Sequence, residues 1–230
     1  MEKSSNKNLK TSCILNTIIF VFTIFASILM FTGFKFMHGY EIVLESTKIG
    51  MFRFFTVDSN LFMGIVALIF AIKELKLIKG SINEIPKRMY ILKLMATAGV
   101  TLTFITVFMY LGPISKGGIL SLLMNSNLFF HLLIPVLSIL VFVLFEKTDK
   151  LTLKHTFYGL IPTVIYALYY LINILVHMEN GKVSVIYDWY WFVQNGVWTG
   201  IIVCPMILFI TYIISVILWR LNKKKTKINN

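Results

Sequence analysis

Cysteine, acidic residues and charge in general are scarce in this chain of 230 residues. The two cysteines, Cys13 and Cys204, lie in apolar stretches with no CxxC spacing and no histidine cluster beside them. That excludes a disulfide framework and a structural zinc site, and neither a metal nor a cofactor is expected. Charged residues make up 14% and hydrophobic residues 57%, far from the roughly 25% and 45 to 50% of soluble domains. A water-soluble globular fold is excluded on that ground. Acidic residues number 10 against 22 basic ones, a formal net charge of +12. The Lys and Arg fall in short segments between apolar runs and do not form a soluble basic surface, so nucleic acid is not an expected partner.

What remains is hydrocarbon. Six apolar runs span about Ser12 to Phe34, Phe54 to Ile72, Met89 to Leu111, Asn127 to Phe145, Thr156 to Val176 and Val197 to Trp219. Each matches the roughly 20 helical residues that cross about 30 Å of lipid, and as a helix each satisfies its own backbone. The first run is too long for a signal-peptide core and no A-x-A site follows it, so it reads as a helix. Basic residues then set orientation. Sixteen fall in the N-terminus, the two even-numbered loops and the tail, against five on the other side, and positive loops stay inside. The expectation is an all-α, multi-pass protein of the cell membrane: one six-helix domain over residues 1–230 with both termini cytoplasmic. Lys93, near the start of the third run, is expected to snorkel to the interface. The tail RLNKKKTK reads as a topology anchor that also binds anionic lipid. The segment YDWYWF, from Tyr187 to Phe192, reads as an aromatic belt at the outer interface. No internal repeat or low-complexity stretch is evident.

The polar residues within the runs gather toward the outer side. Run two opens with Thr56, Asp58, Ser59 and Asn60, and run four with Asn125, Ser126 and Asn127 followed by His131; run five ends at Asn173 and His177. Asp188, Gln194 and Asn195 precede run six. Charged groups in lipid cost at least about 2.5 to 3.5 kcal/mol on insertion scales and therefore face the bundle interior, which singles out Asp58 and His131. Asn127, His131 and Pro135 align at spacings of four, and Pro135 frees a carbonyl near His131. Plainer roles stand beside these. An intramembrane histidine serves equally as a helix-to-helix hydrogen bond, a threonine often bonds back to its own helix, and Asp58 suits a helix N-terminus by charge alone.

FRFFTVDSN, from Phe52 to Asn60, and NLFFHLLIP, from Asn127 to Pro135, resemble motifs of the androgen-induced-gene family of multi-pass membrane hydrolases and its bacterial relatives. Animal members of that family cleave fatty acid esters of hydroxy fatty acids. The resemblance implies Thr56 as nucleophile and His131 as its base, acting on a fatty acyl ester. An activated hydroxyl needs such a base. Asn60 or Asn127 would stabilise the oxyanion, Asp58 or Asp188 would orient His131, and Asn173 belongs to the same polar cluster. The proline spacing after His131 and the residue order before run six depart from the animal pattern. The alternative is a small carrier or accessory subunit whose polar cluster binds a ligand or ties helices together.

Overall fold

The computed structural model describes residues 2–39, 46–194 and 196–223; Asn195 and the lysines of the tail at 224, 225 and 227 lie outside them. Each of the six apolar runs is a helix. They are α1 (Glu2–Thr32), α2 (Phe55–Ile78), α3 (Lys87–Ile114), α4 (Ser126–Phe145), α5 (Leu153–Val176) and α6 (Val197–Asn222). Among the described residues, five of these (α1, α3, α4, α5 and α6) are long and apolar enough to cross a membrane. The other, α2, has 24 residues, or about 36 Å at 1.5 Å per residue, with Asp58 at one end and Lys73, Glu74 and Lys76 at the other. The helices outrun the apolar stretches because lysine, glutamate and leucine continue a helix as readily as they begin one. A two-residue hairpin, Met178–Glu179 with Lys182–Val183, follows α5. The chain is therefore an all-α polytopic protein.

α1 and α2 run antiparallel, Cys13 opposite Ala71 and Thr23 opposite Gly64. Small residues let them touch. A Cβ on Gly64 would sit 2.6 Å from the Thr23 methyl, and one on Gly159 of α5 would sit 2.3 Å from Ser215 Oγ of α6. In lipid, where apolar burial gives helices little reason to associate, this close backbone approach is a main source of packing energy. Threonines of these helices, among them Thr17, Thr23, Thr97 and Thr101, donate to the carbonyl four residues back at 2.7 to 2.9 Å, which hides their hydroxyls from hydrocarbon. Outward faces are apolar: Ile165, Leu168, Leu171 and Ile172 of α5 are exposed, as a lipid-facing surface requires.

The start of α1, the end of α4 and the end of α6 meet at one face of the bundle. Ser12 lies 3.5 Å from Glu146, and Asn222 Nδ2 donates to the carbonyls of Phe142 (2.6 Å) and Glu146 (2.9 Å). Lys150 Nζ reaches Glu84 Oε2 at 2.7 Å and the Ile85 carbonyl at 2.8 Å, bringing the loops after α2 and α4 to the same face. The basic segments thus share one end of the molecule, as positive-inside sorting demands.

Lys93 does not snorkel. It is fully buried and pairs with Glu146 at 2.8 Å. It also donates to Asn16, whose amide reaches both Glu146 (2.8 Å) and Glu74 (3.0 Å). The bundle therefore has a second polar cluster at its basic face. Its members come from three helices and the residue that follows α4, and they sit where the apolar runs begin or end, so no single run displays it.

Two outcomes are expected from this architecture. A reporter inserted at Gly80 or fused after Asn230 will be cytoplasmic; activity of an external reporter at either place would reverse the orientation. Gly64→Ala will lower thermal stability in detergent by about 1 to 3 kcal/mol through overpacking against Thr23. Wild-type melting would mean that α1 and α2 are not in close contact.

Candidate functional site

At the face opposite the basic one, α2 begins abruptly. A 3-10 turn, Lys48–Arg53, leads into Phe54, which is extended, so the first N–H groups of α2 need partners from elsewhere. Phe55 N–H donates to the Tyr190 hydroxyl at 3.0 Å, and Tyr166 of α5 donates its hydroxyl to the Arg53 carbonyl at 2.5 Å. Burial pushes the Tyr190 phenol up to about 12, so at neutral pH it stays protonated as a neutral cap.

Thr56, the second residue of α2, is half-buried. Its carbonyl accepts from Asn60 Nδ2 at 2.7 Å and from Ser59 Oγ at 3.2 Å. Its hydroxyl takes no hydrogen bond among the described residues. The residue four back is Phe52, which precedes the helix, so the carbonyl that quiets Thr17, Thr23, Thr97 and Thr101 has no counterpart in line.

His131 lies on a π-helical turn, Phe129–Leu133. Pro135 has no N–H to offer the His131 carbonyl, and the helix widens just before it. Such single π turns recur at functional sites. The imidazole is 8% exposed, with Nδ1 2.6 Å from the Leu122 carbonyl. A carbonyl only accepts, so Nδ1 carries the hydrogen and Nε2 keeps its lone pair.

Asn60 joins the two elements. Fully buried, its Nδ2 donates to the Thr56 carbonyl and, at 3.1 Å, to the Phe130 carbonyl of α4. The start of α2 is thereby held against the turn that carries His131. No hydrogen bond joins Thr56 to His131. Both amide hydrogens of Asn60 are committed, which leaves Asn127 as the free amide. It is 5% exposed and, among the described residues, makes no side-chain hydrogen bond.

Neither aspartate is hydrogen-bonded to the histidine. Asp58, half-buried, makes no side-chain hydrogen bond among the described residues. Asp188 is fully buried and accepts from the Tyr170 hydroxyl and from the N–H groups of Phe192 (2.9 Å) and Val193 (3.1 Å). The group that orients His131 is the Leu122 carbonyl, which sequence patterning could not single out because every residue has one. Asn173 donates to the Tyr187 carbonyl at 2.6 Å and holds the loop. YDWYWF is an outer belt only in part: Tyr187 and Trp191 are exposed, but Asp188 and Trp189 are buried and Tyr190 caps α2. Asn125, at φ 53°, accepts the N–H groups of Phe36 and Met37, both at 2.8 Å. It pins the loop after α1 beside this end of α4.

An apolar groove of about 690 Å³ runs between α1 and α4, lined by Phe25, Ile28, Leu29 and Phe129 among others. Phe129 shares the π turn with His131. Among the described residues no three His, Cys, Asp or Glu side chains gather as metal ligands.

Two substitutions grade the scaffold. Tyr190→Phe, which strips the cap from Phe55, will cost about 1 kcal/mol in thermal unfolding. Asp188→Ala, which orphans three donors, will cost more, about 1.5 to 3 kcal/mol or above. Equal effects would mean that the loop is not anchored through Asp188.

No family model, no curated protein and no solved structure matches this chain.

Proposed function

We propose that this chain is a membrane-embedded hydrolase of a fatty acyl ester, with Thr56 as nucleophile and His131 as general base. It would sit in the cell membrane with six spans and both termini cytoplasmic, its basic tail on anionic lipid. The observation that carries the reading is that the Thr56 hydroxyl, unlike those of Thr17, Thr23, Thr97 and Thr101, is unbonded, at the end of a helix pinned through Asn60 to the turn bearing His131. The resemblance of FRFFTVDSN and NLFFHLLIP to the androgen-induced-gene family assigns the same two residues.

In this scheme the Thr56 oxygen attacks the ester carbonyl carbon while His131 Nε2 accepts the hydroxyl proton. The Leu122 carbonyl supports the imidazolium through Nδ1–H. Asn127 donates to the oxyanion. Collapse of the tetrahedral intermediate expels the alcohol, which takes the proton from His131. Water, deprotonated by the same nitrogen, then attacks the acyl carbon, the bond to Thr56 breaks with the proton passing from His131 to the Thr56 oxygen, and the fatty acid leaves. The groove beside Phe129 is apolar and open to lipid, which suits an acyl chain arriving laterally.

A fluorophosphonate probe tests the assignment, since threonine reacts with it only when a base has activated the hydroxyl. Wild type and Thr56→Ser will be labelled at position 56, and Thr56→Ala and His131→Ala will not. Equal labelling of wild type and Thr56→Ala would remove the nucleophile. No labelling of any form would return the site to ligand binding.

A further inference from the structure

The basic-face cluster, at the other end of the bundle from Thr56 and His131, has more negative than positive groups. Ser12 and Asn16 of α1, Glu74 of α2, Lys93 of α3 and Glu146 after α4 are each at most 3% exposed. Glu146 Oε1 receives Lys93 Nζ at 2.8 Å, Asn16 Nδ2 at 2.8 Å and Ser12 Oγ at 3.5 Å. Glu74 Oε2 receives the same Asn16 nitrogen at 3.0 Å. Lys93 also donates to Asn16 Oδ1, which fixes the amide so that its hydrogens face the two carboxylates.

Two carboxyls therefore meet on one amide nitrogen with a single ammonium between them. Among the described residues, no hydrogen bond or ion pair brings a second cation to them. Cys13 on α1 and Tyr90 on α3 are neutral acids, Asn222 of α6 is uncharged, Glu84 and Asp149 beyond are acidic, and Lys150 is paired with Glu84. One uncompensated charge at this burial is costly, and two neighbouring carboxylates in one site cannot both stay ionised. A second observation points the same way: Glu146 Oε2 is buried and has no hydrogen-bond partner. A donor is missing where the charge count is short by one proton.

We propose that this cluster is a proton-binding site, holding one exchangeable proton on the Glu74 carboxyl at neutral pH. Glu74 carries it because Glu146 already has the ammonium. The proton neutralises the surplus charge and makes Glu74 a donor toward the orphaned side of Glu146. A sodium ion fits less well, since Lys93 already occupies the Asn16 oxygen and no ring of five or six oxygens surrounds a common point. Release of the proton leaves Glu74 charged among four helices, so exchange requires water to enter at the basic face.

Infrared spectra of the full chain in phosphatidylcholine nanodiscs, in potassium buffer, test this. At neutral pH the wild type will show the carbonyl band of a protonated, buried carboxyl that shifts in deuterated water. Glu74→Gln will remove it and will fold as well as the wild type, because a neutral side chain is what the site holds. Glu146→Gln will also remove it, although Glu74 is still present, because Lys93 then neutralises Glu74 directly. The proposal is overturned if Glu74→Gln leaves the spectrum unchanged or fails to fold. It is equally overturned if the band survives in Glu146→Gln, or if replacing potassium with sodium abolishes it.

Discussion

A polar group that enters hydrocarbon has to bring its partner along, because the solvent there donates and accepts nothing. Most of this bundle follows from that constraint. Thr17, Thr23, Thr97, Thr101 and Thr211 turn their hydroxyls onto their own helices, Asn222 ties the end of α6 to the end of α4, and Lys93 finds Glu146 across the bundle rather than reaching for the interface. Asn16 and Asn60, each fully buried, serve as fasteners at opposite faces. One gathers a lysine and two glutamates, the other two backbone carbonyls.

Several polar groups depart from that constraint, Ser138 Oγ and Thr163 Oγ1 among them, and three of these departures bear on chemistry. Thr56 lacks the carbonyl that would quiet its hydroxyl, and Asn127 is buried with its amide unspent. Glu146 keeps one oxygen without a donor. Two of these lie at the same end of the bundle as the histidine whose tautomer the Leu122 carbonyl sets, and the third belongs to the Lys93–Glu146 pair at the basic face. A bilayer makes idle polarity expensive, so such groups are where ligands, protons or reacting atoms are to be sought.

The fold was legible because hydropathy is a local sum: every apolar run is a helix, and the lysine segments fall at one end. Thr56 and His131 were legible as candidates because each opens a helix on the same side, and both lie there. Pairing across helices was not legible. Lys93 read as a snorkelling residue because its partners are 53 and 77 positions away, and local composition carries no trace of them. For the same reason Asp188 passed as a possible partner of His131, whereas it anchors the loop that caps α2. The three π turns escaped as well: Pro135 follows Phe129–Leu133 and Pro113 follows Thr106–Leu111, but Val141–Phe145 has no proline beside it.

The tight fit of Gly64 against Thr23 divides the molecule into parts of unequal stiffness. With no slack between their backbones, α1 and α2 form a wall that carries Thr56 at one edge and Asn16 and Glu74 at the other. α5 is the opposite case, burying only Thr163, Tyr170 and Ile174 over its regular stretch and showing most of its surface to lipid. Tyr170 also holds Asp188, so α5 and the aromatic loop travel together. Over that stretch α5 is tied to the rest of the bundle by two tyrosine hydroxyls, Tyr166 donating to the Arg53 carbonyl and Tyr170 to Asp188.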